Sequence, residues 1–525
     1  MGDWNKNGLD DSDGPQVAKQ FIGLILIGIG SKFLGFAREF FIANKLGTSL
    51  ESDAYFLAIA ITVTFCGGFL AIFSTSFIPV YSQLVLVSQD ESNGFINKLQ
   101  TLIFVLLMAI SLLFFLFKTT LLSTVFPNAD SAMLALTDRL ASIMFFYVVA
   151  SSVRSVLGGY LQYHNQTATV YFIINIVQNI VILASIVLYA GNPDVLGYGY
   201  ALAGLTIAGC LLWVASKHGF RYAIDFRFRS PHIHTVLILT LPIFLNHFLA
   251  DINTFFDKSI ATGLGVGIVS SLNYAYKIND IFVLTFATTL ATALYPEISK
   301  LIARNEQFAA SRLLGKSLRQ ITLLLIPFAT SMLFFSQEIV ELILMRGAFD
   351  VNSAVVTAHC LQCYCIGMLF FAFRQVLYRA LLSCKKTKTI LFNSIWTVGI
   401  NITLNVLLSR MFGYRGVALA TTISMGVMTT LMLVDISKSD IPIPLIGVIR
   451  ENFPYLAVAF LAMGAARVGQ IASARLFPDI FQYRYAALFW ILVALVSYIG
   501  IHYARHDEAL GELTRMATRK LRRRA

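Results

Sequence analysis

The sequence predicts an all-α, polytopic membrane protein with about fourteen transmembrane helices. Three observations carry that expectation. First, 57% of the 525 residues are hydrophobic and only 13% are charged, about half the ~25% usual in a soluble domain. Mean hydropathy is +0.72. Second, apolar runs long enough to cross a ~30 Å hydrocarbon layer, roughly 20 residues each, recur along the whole chain. Third, one half of the chain repeats the other. A soluble core cannot use so much apolar surface, because most positions of a compact domain face water. An ordinary soluble enzyme, a disordered chain and a disulfide scaffold are excluded on these grounds. A transmembrane β-barrel is excluded too, since its strands alternate and are only ~10 residues long.

The runs fall at 19–43, 53–83, 99–117, 132–161, 167–190, 194–217, 234–262, 268–300, 314–336, 353–383, 388–411, 414–436, 448–475 and 481–506. The first comes after a polar tail, 1–18. It is too long for a cleavable signal and lacks a small-residue cleavage site, so it reads as a membrane helix. Asp10, Asp11 and Asp13 before Gly14 resemble part of a calcium loop. The first ligand position and the closing glutamate are missing, which leaves a solvated tail.

Loop charge sets the expected orientation. Lys217, Arg221, Arg227 and Arg229 come after the sixth run; Lys300, Arg304, Arg312, Lys316 and Arg319 come after the eighth. Lys385, Lys386 and Lys388 come after the tenth, and Arg505, Arg515, Arg519, Lys520, Arg522, Arg523 and Arg524 after the last. The alternate loops are poor in base. Both termini are therefore expected in the cytoplasm. This distribution also accounts for the formal net charge of +12 without a nucleic-acid partner; the basic tail reads as positive-inside charge facing anionic lipid.

The repeat is visible by eye. Phe41–Gly47 (FIANKLG) matches Ser259–Gly265 (SIATGLG), Phe77–Ser82 (FIPVYS) matches Leu294–Ser299 (LYPEIS), and Gly197–Ala203 matches Gly413–Ala420, at a spacing of 216 to 218 residues. Each half thus holds six helices with the same orientation, an arrangement that lets two lobes rock about a site between them. The expected divisions are a tail at 1–18, an N-lobe at 19–217, a C-lobe at 234–436, two further helices at 448–506 and a basic tail at 507–525.

Ionisable groups at membrane depth cost several kcal/mol unless paired or hydrated, so they point to function. Lys32, Arg38 and Glu39 lie in the first run and Asp53 opens the second. Arg139 and Arg154 lie in the fourth, Asp251, Asp257 and Lys258 in the seventh, Lys277 and Asp280 in the eighth, and Arg374 in the tenth. The substrate-facing candidates are Arg38, Lys277, Lys32, Asp53, Arg374 and Arg154. Their cations suit a phosphate or pyrophosphate, with arginine offering a bidentate fork. Plainer readings stand beside this. Asp53 is also placed as a helix cap, Asp257 with Lys258 also reads as a snorkelling pair near a helix end, and Lys277 has Asp280 three residues on. The group His359, Cys360 and Cys363 imitates a metal motif, but no second ligand pair accompanies it and it lies in an apolar run; no metal or other cofactor is expected.

These residues resemble a known family. Ser31–Glu39 (SKFLGFARE) is similar to the opening S-R-x-L-G-F-x-R-[DE] of the MurJ (MviN) family, lipid II flippases of the multidrug/oligosaccharidyl-lipid/polysaccharide exporter superfamily. Ser52–Phe56 (SDAYF) resembles its T-D-A-F-F, Ser76–Pro79 its A-F-V-P, and Asn273–Lys277 its Y-A-x-[RK]. Arg346–Asp350 reproduces R-G-x-F-[DT], and Thr387–Thr389 resembles T-K-T-P with Ile390 in place of proline. The likeness runs in order over nearly the whole chain. It implies a non-enzymatic flippase of the bacterial inner membrane that carries an undecaprenyl-pyrophosphate-linked sugar by alternating access. It also implies that Lys32, Arg38, Asp53 and Lys277 are its cavity charges. One departure stands out. The L-R-R-x-x-x-E-G segment of the peptidoglycan flippases is Thr64–Ile72 (TFCGGFLAI) here, without arginine or glutamate. Lipid II leads as substrate, and a lipid-linked exopolysaccharide or O-antigen unit is the alternative. Further expected partners are membrane lipids and a possible coupling cation. A cation-coupled drug antiporter would call for an acid-rich cavity instead. A membrane glycan polymerase would need a catalytic loop outside the membrane, and these loops are too short.

Overall fold

Hydrocarbon offers no hydrogen bonds to a backbone, so a spanning segment must satisfy its own N–H and C=O groups. The chain does so with helices. The structure is a computed structural model that describes residues 13–439, 441, 445–476, 483–507 and 509–511. Residues 1–12 of the expected N-terminal tail and most of the basic C-terminal tail lie outside the described residues, as do the side chains of 65–76, the stretch without the family's arginines; residues 13–18, expected in the tail, are helical and open α1.

Fourteen long helices succeed one another among the described residues: α1 (Asp13–Leu46), α2 (Leu50–Val87), α3 (Gln89–Val125), α4 (Ser131–Tyr163), α5 (Thr167–Val187), α6 (Asp194–Lys217), α7 (Pro231–Thr262), α8 (Ile268–Ala303), α9 (Gln307–Phe334), α10 (Val351–Ile366 with Met368–Ser383), α11 (Thr387–Phe412), α12 (Tyr414–Ser437), α13 (Leu445–Leu476) and α14 (Tyr483–Ala504). No strand occurs among the described residues. Ten of the helices are long and apolar enough to cross a membrane, and the bent α10 makes an eleventh. The others, α1, α2 and α7, have 34, 38 and 32 residues. At 1.5 Å per residue each exceeds the hydrocarbon thickness. The expected all-α membrane class is what the chain adopts.

Three details go beyond the sequence reading. The two parts of α10 meet at 45°. A short helix, Ser336–Leu344, precedes it; nine residues are too few to register as an apolar run of membrane length. Finally, α5 and α8 each contain one wide π turn, at Phe172–Val177 and Val283–Thr288.

The helices form two compact units. The first comprises Met1–Lys45 and Ala54–Asp251, the second Leu46–Asp53 and Ile252–Ala525. In the first unit α4 packs closely on α6, because Gly204 leaves no side chain in the way: a Cβ there would overlap the ring and Cα of Tyr147. Such small-residue contacts substitute for the hydrophobic drive that lipid does not supply. Phe114 of α3 stacks on Phe145 of α4 at 4.0 Å.

In the second unit, α13 and α14 seat on α9 and the short helix around Phe335, Met463, Ala466, Ala487 and Ala494. A buried ion pair fastens them. Arg467 of α13 donates to Glu338 of the short helix and to Gln470, and Glu338 is 3% exposed. Trp490 of α14 donates to Ser473 at 3.0 Å.

Candidate functional site

Within the first unit, a polar cluster gathers around Arg38. Arg38 sits on α1 with its side chain 20% exposed. It donates Nη2 to Glu39 Oε1 at 2.9 Å and Nη1 to Asn179 Oδ1 at 3.3 Å. Asn179 lies on α5 just past the wide turn, and donates in turn to the Asn175 carbonyl at 2.6 Å. The turn therefore supplies the acceptor that fixes the asparagine behind the arginine. Tyr55 of α2 and Tyr200 of α6 lie within electrostatic range of the guanidinium. Tyr200 packs on Tyr147 at 4.9 Å between ring centroids. Arg154, about two turns along α4, donates to the Tyr147 hydroxyl at 3.4 Å. Arg38 and Arg154, singled out separately in the sequence, thus share one tyrosine-lined cluster. Lys32 lies half-buried on α1, nearly two turns before Arg38.

The second unit has its own cluster. Tyr276 on α8 is within electrostatic range of Asp257 on α7, Asp280 on α8 and Arg374 on α10. Lys277 is next on α8, half-buried, and Arg374 is half-buried with its Nε unpartnered. Asp257 does not snorkel. Its oxygens accept from Asn405 Nδ2 of α11 at 2.6 Å and from Thr421 Oγ1 of α12 at 3.1 Å. Asn405 also donates to Asn401 Oδ1 at 2.7 Å. Among the described residues Asp257 forms no ion pair. Tyr55, Tyr147, Asn179, Tyr200, Asn401, Asn405 and Thr421 carry no charge and so give no comparable signal in an apolar run. One signal was available: Asn401 and Asn405, four apart in an apolar run, present one polar face to a neighbouring helix.

Asp53 is spent elsewhere. It is fully buried, and its Oδ2 and Oδ1 accept from the backbone N–H groups of Gly267 and Ser270, at 2.6 and 2.7 Å. It therefore caps the N-terminus of α8, where two orphan donors and the positive end of the helix dipole meet a carboxylate. Other bonds fix the same turn. Tyr274 donates its hydroxyl to the Gly47 carbonyl at 3.0 Å, and Thr48 and Ser353 hydroxyls lie 2.6 Å apart. Gly47 has φ +58°, and a Cβ there would overlap the Ala348 carbonyl. Phe349 is buried edge-on to Tyr274 at 5.8 Å. Asp350 caps α10 by accepting from Ser353 N at 2.7 Å, a bond that holds its carboxyl below the usual carboxylate range. The SDAYF, NYAYK and RGAFD motifs thus converge on one clasp.

No group of three or more His, Cys, Asp or Glu side chains with metal-binding geometry occurs among the described residues.

Long apolar helices with half-buried cations at membrane depth in each unit define an integral membrane protein of the kind that passes a charged cargo. Its fold matches a solved structure described as "Lipid II flippase MurJ, inward closed conformation", with TM-score 0.78 and 21% identity over 92% of this chain and 99% of that one. It also matches an inward-facing multidrug resistance MATE family transporter, with TM-score 0.63 and 14% identity over 80% of this chain and 94% of that one. The family model described as lipid II flippase MurJ matches residues 42–495, and the chain belongs to that family. Among its relatives, a probable lipid II flippase of Rickettsia prowazekii is 26% identical over 75% of this chain and 78% of its own length. Another, of Rhizobium meliloti, is 26% identical over 83% and 84%.

If the clasp is held by the carboxylate, Asp53→Ala removes two charge-assisted bonds, each worth about 1.5–3 kcal/mol. Its thermal unfolding midpoint in detergent should fall by several degrees, and that of Asp53→Asn, which keeps one acceptor, by less. An unchanged midpoint in Asp53→Ala would refute the cap.

Proposed function

We propose that this chain carries an undecaprenyl-pyrophosphate-linked sugar precursor, lipid II foremost, across the bacterial inner membrane by alternating access. The family match over residues 42–495 carries this reading. The half-buried cations support it. Arg38 is paired with Glu39 on one side and held by Asn179 on the other, and Arg154 donates to the Tyr147 hydroxyl, so the guanidinium groups are oriented by fixed partners. Lys277 and Arg374 are their counterparts in the second unit, and Lys32 adds a further cation. We assign these five to the pyrophosphate and sugar, and Asp53 to the clasp. The N-lobe at 19–217 and the C-lobe at 234–436 are the moving parts of this scheme, with 448–506 outside it.

The alternative cargo, a lipid-linked exopolysaccharide or O-antigen unit, is favoured by one observation: Thr64–Ile72 lacks both arginines and the glutamate. One charge at ~4 Å in an effective dielectric of ~20 amounts to about 4 kcal/mol before desolvation, so a lipid II carrier without them needs other cations. Replacement of the essential flippase in a lipid II flippase depletion strain separates the two. Growth supports lipid II. Lysis despite membrane insertion, with loss of capsule when the native gene is deleted, supports the alternative. In whichever assay the chain is active, Arg38→Ala and Lys277→Ala should abolish transport. Arg38→Lys should restore it only in part, because an ammonium cannot reproduce a bidentate contact. Full activity in both alanine variants would sink the assignment.

We place the coupling cation at Asp257. A carboxylate at membrane depth is costly, and this one accepts from an amide and a hydroxyl, with Lys258 within electrostatic range but not bonded to it. A proton or a monovalent cation completes it. Asp257→Asn should leave the protein inserted and folded while transport falls at least tenfold; undiminished transport would remove Asp257 from the scheme.

Both termini are proposed to be cytoplasmic. A single cysteine at position 192 should react with an impermeant maleimide in intact cells, whereas cysteines at 229 and 312 should react only after lysis. Labelling of 312 from outside would invert the orientation.

A further inference from the structure

The connection between α6 and α7, residues 218–230, is the longest non-helical stretch among the described residues. It is nonetheless tied down. Asn97 on α3 donates Nδ2 to the Arg221 carbonyl and accepts from Ala223 N, both at 3.2 Å. Thr101, one turn on, accepts from Asp225 N at 3.2 Å. Residues 221, 223 and 225 are therefore bonded through the backbone to one helix face, with the period of an extended strand. At its start Phe220 is 5% exposed and packs on Tyr160 with ring centroids 5.6 Å apart.

The outward side of this strap is unusual for a loop. Tyr222, Ile224 and Phe226 are 45%, 66% and 66% exposed. Arg221 and Arg229 are exposed as well, and among the described residues neither forms an ion pair. The one acid in the stretch is already committed. Arg227 forks onto Asp225 through Nε and Nη2 at 2.9 and 2.8 Å, which holds the carboxyl down to about 2. Apolar side chains alternating with cations match neither water nor hydrocarbon; they match the boundary between them.

Both ends of the strap join lipid-facing surface. Trp213, on the last turns of α6, is 61% exposed, and the Lys217 ammonium lies 3.5 Å from its ring centroid. Tryptophan beside lysine at a helix end is the signature of headgroup level. On the far side, Leu237, Ile238 and Leu239 of α7 are 41%, 56% and 46% exposed. A stretch that leaves one lipid-facing helix and enters another, with three large apolar side chains uncovered between them, continues the same surface.

We propose that residues 218–230 form an interfacial strap that binds acidic phospholipid headgroups of the cytoplasmic leaflet. Arg221 and Arg229 contact the phosphates, while Tyr222, Ile224 and Phe226 enter the acyl boundary. A soluble protein partner would have no use for the adjoining lipid-facing tryptophan and leucines. Arginine suits the phosphate, since its fork bonds two oxygens at once.

The test uses the full chain reconstituted in vesicles of phosphatidylcholine containing brominated phosphatidylglycerol or brominated phosphatidylcholine. Trp213 is read as the difference in emission between the chain and its Trp213→Phe variant. Quenching should show brominated phosphatidylglycerol preferred over brominated phosphatidylcholine by about fivefold or more, the factor expected for each basic residue near an anionic surface. The preference should fall to near one in Arg221→Gln/Arg229→Gln. It should also vanish at ~1 M salt, where the Debye length is only about 3 Å. Neither arginine is buried, so the double variant keeps its fold, which circular dichroism checks. No preference in the parent chain, or an equal preference in the double variant, overturns the proposal. Transport does not enter the readout, so the result stands apart from the identity of the cargo.

Discussion

A charged or hydrogen-bonding side chain in hydrocarbon must find its partner within the protein, and that requirement organises much of this molecule. Arg467 of α13 meets the buried Glu338, so a helix outside the repeat is fastened to the short helix ahead of α10 by a charged bond. Asp257 draws α11 and α12 toward α7. Arg38 links α1 to α5 through Asn179. Losing one partner of a buried ion pair leaves the other uncompensated, a cost of about 3–5 kcal/mol. Such bonds locate helices more sharply than apolar packing does, because Leu against Leu is nearly as good as Leu against lipid.

The class of protein was legible because it rests on quantities that add along the chain: hydropathy, run length and loop charge. The clusters were legible only where they were charged. Arg38, Lys277 and Arg374 stood out in apolar runs, whereas Tyr55, Tyr147 and Tyr200 did not, since a tyrosine in such a run usually reads as packing or as an interfacial anchor. Asp53 shows where the limit lies. The sequence placed it at the start of its own helix and offered cap or cavity as its role. Its partners are the amides of a helix 214 and 217 residues away. No local pattern encodes which helix an acid caps, because the backbone N–H groups it meets belong to every sequence.

The wide turns in α5 and α8 have no such local signal, whereas the bend in α10 falls at Gly367, a residue type at which helices readily break. A π turn inserts one residue and rotates the remainder of its helix. In α5 the effect is local and chemical, since the Asn175 carbonyl on the turn receives the Asn179 amide, and the Asn179 carbonyl oxygen receives Arg38.

The assignment of Leu46–Asp53 to the second unit has a consequence for how the halves are related. By descent the segment belongs to the first repeat, yet its contacts complete the second. A gene cut between the repeats would deliver a C-terminal half whose α8 begins with two bare amides, and an N-terminal half carrying an acid with nothing to cap. The duplication that the sequence still displays therefore did not leave two autonomous modules. The cap that completes α8 is thus carried by the first turn of α2, outside the second repeat.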